Sequence, residues 1–393
     1  MLRELLNRFT ARKSPPDRGS AQVDALYEQG STAYRTGRYG EAVRCAERAL
    51  ALDPTLTAAY FLLGSAQLEL GNFEAAETAF DACLARSPQY PLLLHATVQR
   101  AGAHARADAA RGKMPAAERT PASERRRISI IVCSIRPDRF EKVCANYRSL
   151  LADVPHEIIG IHDARSLCEG YNRGFRRASG EIVIFSHDDI EIVTPDFAAR
   201  LFRHLSRHDL VGISGTTRLV AGHWMSAGWP HLYGQVGSDV AKPGSLIVTV
   251  YQVPGAATPD AQALDGVFLA ARREVAERVA FDEATFDGWH LYDLDFSFSA
   301  HLAGFRTAVC NDICLIHDSI GNYSSSDWQQ YARRFEEKHR ARLHDPGEAK
   351  PVELCWIELA SRNEWLLMTE EMCRDRVSVA SPPASASARS HKG

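Results

Sequence analysis

The chain lacks long apolar runs. None of its uninterrupted apolar stretches approaches the roughly 20 residues that cross a bilayer, so no membrane-spanning helix is expected. The first residues, MLRELLNRFTARK, contain no apolar core of the kind that marks a secretory leader. There is no C-x-x-C pair. The nine cysteines are scattered and odd in number, which argues against a disulfide framework and for reduced, buried thiols in a cytoplasmic protein. Cys310 and Cys314 flank an expected strand and make a poor zinc site. Neither G-x-G-x-x-G nor G-x-x-x-x-G-K-[ST] opens a helix, so dinucleotide and P-loop chemistry are not expected. Charge excess is also missing. A formal net charge of -3 gives no general attraction to nucleic acid, and none is expected as a partner.

What remains is an ordinary soluble composition, 45% apolar and 24% charged, over 393 residues. That length allows two or three domains, each with its own core. Residues 1–20 are expected to form an N-terminal helix or arm. Leu2, Leu5, Leu6 and Phe9 share one helical face with basic residues opposite, which suits a docking helix or at most a peripheral membrane contact. Residues 24–90 then repeat with a period of 34: Gly30 with Gly64, Gly37 with Gly71, Tyr39 with Phe73, Ala42 with Ala76, Pro54 with Pro88. Small residues where two helices cross, with a proline closing each unit, resemble the tetratricopeptide repeat (TPR). Tyr60, Leu63 and Gly64 match the pattern of that family closely, while Leu26 and Gln29 depart from it. The helical region is assigned to 21–108, with Pro91 to Asp108 as a third, degenerate unit or a capping helix. Two units are few for a free solenoid. They are expected to pack on the next domain or on a second copy of the chain, as a peptide-binding groove or as a structural module. Residues 109–127, rich in Arg, Ala, Pro and Ser, read as a linker.

At Ile128 the pattern changes. The run 128–135 is continuously β-branched, 156–163 is a second strand ending in Asp163, and 182–186 is a third, buried strand. Helices are expected over about 140–151, within 164–179, and over 197–208, the last opened by Thr194-Pro195. This β-α-β-α-β order predicts a doubly wound α/β sheet. The third strand ends in His187, Asp188 and Asp189, with Glu191 close behind. Ligands of open α/β sheets bind at that edge. Adjacent carboxylates there suit a hard divalent cation bridging to a substrate phosphate. Further on, 210–219 and 245–253 read as strands, 265–279 as turn, strand and helix, and 307–319 as a strand ending at His317-Asp318. Asp293 and Asp295 start a helix. Helices are expected over about 328–342 and 351–372, and the composition of 376–393 predicts a disordered tail.

Taken together, 128–320 resembles a GT-A fold glycosyltransferase of the family 2 type, with 321–375 as a C-terminal helical extension. The resemblance implies a nucleotide-diphospho-sugar transferase, Rossmann-like in its sheet, that depends on Mn2+ or Mg2+ and inverts the anomeric carbon. His187-Asp188-Asp189 occupies the DXD position, with His187 in place of the first Asp. The resemblance assigns Asp189, His317 and His187 to the metal, and Ser134, Asp163, Asp188 and Gly266 to a nucleotide-sugar donor, expected to be UDP-linked. Asp293, within Tyr292-Asp293 where the family has Glu-Asp, becomes the catalytic base, a role worth roughly 10²–10⁴-fold in rate. Asp295 would cap the helix or orient its neighbours. Trp224, Trp229 and Trp289 are candidates for stacking on sugar or acceptor, and Arg136 and Arg173 for contact with phosphate. The acceptor would be a protein, recruited by the repeats, or a glycan. A homo-oligomer is compatible with so short a repeat array. The competing expectation is a non-catalytic TPR scaffold whose sugar-nucleotide fold has degenerated. A nucleotidyltransferase is weaker, since Arg136 and Arg139 are a thin triphosphate-binding loop.

Overall fold

The computed structural model describes residues 18–119, 125–239, 245–319, 323–345, 347 and 349–374. The arm expected at 1–20 and the tail at 376–393 therefore fall wholly or largely outside the described residues.

The repeats form two helical hairpins and a fifth helix: α1 (Arg18–Arg35), α2 (Tyr39–Leu52), α3 (Thr57–Glu69), α4 (Phe73–Leu84) and α5 (Leu92–Ala110). The period seen in the sequence has a steric origin. A Cβ on Gly64 would lie 2.8 Å from the Phe80 ring, and one on Gly30 would lie 3.0 Å from the Cys45 Cβ. Gly37 and Gly71, at φ 79° and 77°, turn the chain between the helices of each hairpin. Ala33, Ala42, Phe61, Leu62, Ala76 and Phe80 fill the space between them. The helix α5 continues to Ala110, two residues into the segment read as a linker.

The α/β region follows as β1 (Ile128–Cys133), α6 (Pro137–Leu150), β2 (His156–Ile161), α7 (Leu167–Arg177), β3 (Ile182–Ser186), β4 (Ile190–Ile192), α8 (Phe197–Arg207), β5 (Leu210–Gly212) and β6 (Ser214–Thr216). Then come β7 (Leu232–Ser238), β8 (Leu246–Gln252), β9 (Ala257–Pro259), β10 (Ala263–Leu264), β11 (Phe268–Arg272) and α9 (Arg273–Arg278). The chain closes with α10 (Tyr292–Leu302), β12 (Thr307–Cys310), β13 (Leu315–His317), α11 (Ser326–His339), β14 (Cys355–Leu359) and α12 (Arg362–Arg374).

One sheet has the order β2-β1-β3-β11-β5-β12-β9. Its first three strands are parallel, as expected, but β11 enters antiparallel to both β3 and β5, so the sheet is mixed. Both faces of β3 are buried. Val183 and Phe185 join one core, and Ile182 and Ile184 the other. That is why this strand reads as a continuous apolar run rather than an alternation. A second sheet, β10-β6-β7-β13-β4, is extended by β8 on β7 and by β14 on β8. The stretch 307–319 is thus two strands in two sheets, not one. The helix α8 is entered through Asp196, not capped by Thr194, whose hydroxyl instead accepts from the Cys314 N–H at 2.8 Å.

The region 351–372, expected to be helical, departs most. Residues 355–359 form an edge strand whose Cys355, Ile357 and Leu359 are buried while Trp356 and Glu358 face out. That period of two matches pairing with β8, and the helix begins only at Arg362. The other face of α5 packs on this strand and on α12. Val98 and Ala105 share a core with Ile357, Trp365 and Met368, and Arg100 pairs with the buried Glu371 at 2.8 Å. The helical repeats are therefore docked on the α/β region through its C-terminal elements.

Candidate active site

Parallel β1 and β3 end side by side, so the residues after them meet. Ser134 Oγ donates to Asp188 Oδ2 at 2.5 Å. Arg139, in the first turns of α6, lies 3.5 Å from Asp189 and 3.9 Å from Asp188. Asp163 stands apart from this group. It follows β2, is exposed, and is held by Arg173 at 2.8 Å. Arg173 is also bound to Glu169, and Arg136 to Asp138.

Antiparallel pairing of β13 with β4 sets His317 against Ile190 and brings it to the end of β3. His317 Nε2 lies 3.3 Å, and His187 Nδ1 3.7 Å, from the same oxygen, Asp189 Oδ1. One donor atom from each of the three residues lies within 4.8 Å of the others, and they form the sole such cluster of His, Cys, Asp and Glu among the described residues. Burial raises the Asp189 carboxyl, but the two imidazoles outweigh it and hold the group far below the usual carboxylate range. Burial lowers the His187 imidazole, and Asp189, Asp265 and Asp293 more than restore its proton affinity. A compact carboxylate–imidazole set with this much negative potential fits a divalent first-row cation. The described cysteines are all free, and Cys310 and Cys314 are buried away from any metal-competent cluster.

Asp293 begins α10. Leu291 precedes it in the left-handed region at φ 62°, a strained turn for a branched residue that aims Tyr292 and Asp293 back at the end of β11. Asp293 Oδ2 accepts from the Gly266 N–H at 2.8 Å. A Cβ on Gly266 would collide with Tyr292 and Asp293, so these two side chains are what require glycine there. Burial and the adjacent Asp265 push the Asp293 carboxyl up to about 7. Asp265 itself accepts from Trp224 Nε1 at 3.2 Å and from the Val267 N–H at 3.1 Å. Asp295 faces away from this group. It is buried and accepts from Lys338 Nζ and His339 Nε2, both at 2.7 Å, clamping α11 onto α10.

A cavity of about 680 Å³ opens beside these groups. His187, His317, Gly266, Asp265 and Asp293 form one wall, and Trp224, Trp289, Tyr323, Trp328 and Trp356 much of the rest. Ser134, Asp163, Asp188, Asp189 and Arg139 are not in its lining. No Lys or Arg is among the described residues that line it. Trp289 and Trp356 are half-exposed at 50% and 43%. Trp229, a candidate from the sequence, is elsewhere. It stacks on Tyr90 at 4.8 Å, where the repeats meet the second sheet. Asp265, Tyr323, Trp328 and Trp356 had not been singled out. Only Asp265, directly before the glycine that opens β11, carried a local signal.

Residues 129–339 match the model of a glycosyltransferase-like family, and residues 27–91 match the tetratricopeptide repeat. The chain belongs to the glycosyltransferase-like family, and TPR helices precede the matched α/β region. No curated protein sequence matches it. Among solved structures it is similar to the mannosyltransferase PcManGT from Pyrobaculum calidifontis in complex with GDP-Man and Mn2+, at 16% identity and TM-score 0.36, over 76% of this chain and 80% of that one. It is also similar to S. aureus TarS 1-349 in complex with UDP-GlcNAc, at 15% identity and TM-score 0.33, over 56% and 68%. GalNAc-T7 with UDP, GalNAc and Mn2+ matches at 10% identity and TM-score 0.35, over 56% of this chain and 50% of that one.

Proposed function

We infer that the chain is an active, metal-dependent, inverting glycosyltransferase that moves a sugar from a nucleotide-sugar to an acceptor hydroxyl in the aromatic cavity. The observation that carries this is a pair of unlike carboxylates beside one cavity: Asp293 lines it, and Asp189 contacts His187 and His317, which line it too. Asp189 is held ionised among imidazoles, and Asp293 is held near neutrality by burial and Asp265. Groups whose environments push their proton affinities apart suit distinct roles in one reaction.

In this reading Ser134, Asp163 and Asp188 hold the nucleoside, of which uridine is the first to test. Asp189, His187 and His317 hold Mn2+ or Mg2+, which would neutralise the leaving diphosphate as a Lewis acid. The acceptor hydroxyl attacks the anomeric carbon from the face opposite the diphosphate. Asp293 takes its proton as the new C–O bond forms and the C–O bond to phosphate breaks. The Gly266 N–H orients the receiving carboxylate. An aromatic wall without Lys or Arg favours an uncharged saccharide ring at the acceptor position, since indole faces cover the apolar side of a sugar. The TPR helices would recruit the polypeptide or assembly that carries that acceptor. Asp293→Asn tests the central role: transfer should be lost while metal-dependent nucleotide binding persists, and retained turnover would contradict it.

A further inference from the structure

We propose that the last repeat helix, α5, is a working part of the acceptor site: it fixes the edge strand β14 and so sets Trp356 in the cavity wall, which makes Gly102 and Arg106 positioning residues for a saccharide acceptor. The inference rests on the glycosyltransferase reading and adds which part of the chain shapes its acceptor side.

The strands β8 and β14 form a two-stranded septum. Leu246, Val248 and Val250 of β8 share a core with Ile357 and Leu359 of β14 and with Val98 and Ala105 of α5. Ile247, Thr249 and Tyr251 alternate with them on β8 and line the cavity. Trp356 stands opposite Thr249 and lines it too. It therefore lies on the cavity side of a strand whose other side is covered by a repeat helix.

That cover decides where the indole points. Among the described residues the sole strand partner of β14 is β8. The register of such an edge is specified by whatever buries one of its faces, and a slip of one residue would turn Trp356 toward α5 and Ile357 toward the cavity. The helix excludes the slip. A Cβ on Gly102 would lie 2.2 Å from Ile357 Cδ1, so helix and strand already meet there with no space for a bulkier group. The backbone is tied to the repeats as well. Arg106 Nη2 donates to the Glu358 carbonyl. The Tyr90 hydroxyl, just before α5, donates to the Pro351 carbonyl at 3.2 Å and accepts from the Glu353 N–H at 2.6 Å. These ties lie on both sides of Trp356. Neither β14 nor the repeats fall in the stretch matched by the glycosyltransferase-like family, so this wall is added to that domain from outside it.

The test labels the full chain with 5-fluorotryptophan and reads its fluorine NMR spectrum, with Trp356→Phe assigning one of the six tryptophan signals. Methyl glycosides of glucose, galactose, mannose and N-acetylglucosamine are the saccharide probes. In the wild type the Trp356 signal should be single and should move on titration with at least one glycoside. Gly102→Ala should shift or split that signal and weaken the glycoside several-fold. Adding Ile357→Val removes the clashing methyl, leaves the next atom at 3.7 Å and should restore both. Arg106→Ala, which adds no bulk, should broaden the signal. A Trp356 signal unchanged in Gly102→Ala and Arg106→Ala would overturn the coupling. A fall in melting temperature with no change at Trp356 that Ile357→Val reverses would do the same, since packing alone accounts for it. A signal moved by none of the glycosides would overturn the acceptor role. Thermal shift of the same wild-type protein with UDP, GDP, CMP or dTDP and Mn2+ tests the underlying reading separately: no metal-dependent shift overturns that reading whatever Trp356 does.

Discussion

Asp293 shows how a single residue can be read twice. As a base it must be ionised, so transfer should rise with pH through about 7, the value to which burial and Asp265 raise it. A rate profile flat across that region would contradict the assignment. As a folded-state carboxyl it is a liability. The native state holds its proton where the unfolded chain has already lost it, so its ionisation destabilises the fold as pH rises from the usual carboxylate range to about 7. Asp293→Asn should therefore raise the unfolding free energy in alkaline buffer, by at most about 4 kcal/mol, and leave it unchanged at acid pH. Equal effects at both pH values would show that the strain is steric. The sequence made Asp189, Asp293 and His317 legible because each sits at the end of an element with a clear pattern. It did not reveal Tyr292 as a partner of His187, because that contact joins residues 105 apart in the chain. The pairing of Arg173 with Asp163 was hidden for the same reason, since the two lie on different elements.

Elements were legible where burial is continuous and obscure where pairing decides. The run 182–186 reads as a buried strand, and the glycine period marks close helix crossings at Gly30 and Gly64 and turns at Gly37 and Gly71. The edge strand at 355–359 was hidden because five alternating residues between a proline and a helix carry little signal. It is the β8 edge that makes it a strand. This element brings Trp356 to the cavity from outside the family-matched stretch. Trp356→Ala should raise the KM for acceptor more than that for donor, and an unchanged acceptor KM would remove β14 from the acceptor site. The helix α11 depends on a different device. Asp295 is buried between Lys338 and His339, so Asp295→Ala leaves His339 without this acceptor and Lys338 with Asp282 in its place. A loss of about 1–3 kcal/mol is expected, read as a fall in unfolding free energy. A loss under about 1 kcal/mol would mark the pair as surface-like.

At the scale of the whole molecule, the repeats and the α/β region are joined through apolar contacts from α5 and a buried cluster around Glu371, which receives Arg100, His104 and Arg374. Packing against the neighbouring domain was one of two outcomes expected for so short an array. Arg100→Ala should destabilise the chain by about 1–3 kcal/mol. Among the described residues no helix is long and apolar enough to cross a membrane. The most direct test of the central claim is the thermal shift of the purified chain against UDP, GDP, CMP and dTDP, each with and without Mn2+, beside Asp189→Ala. A ligand at about a hundred times its dissociation constant adds about 2.7 kcal/mol. The account predicts that one nucleoside diphosphate stabilises the wild type only when metal is present, and does not stabilise the variant. No metal-dependent shift with any nucleotide would contradict it and leave the chain a TPR scaffold.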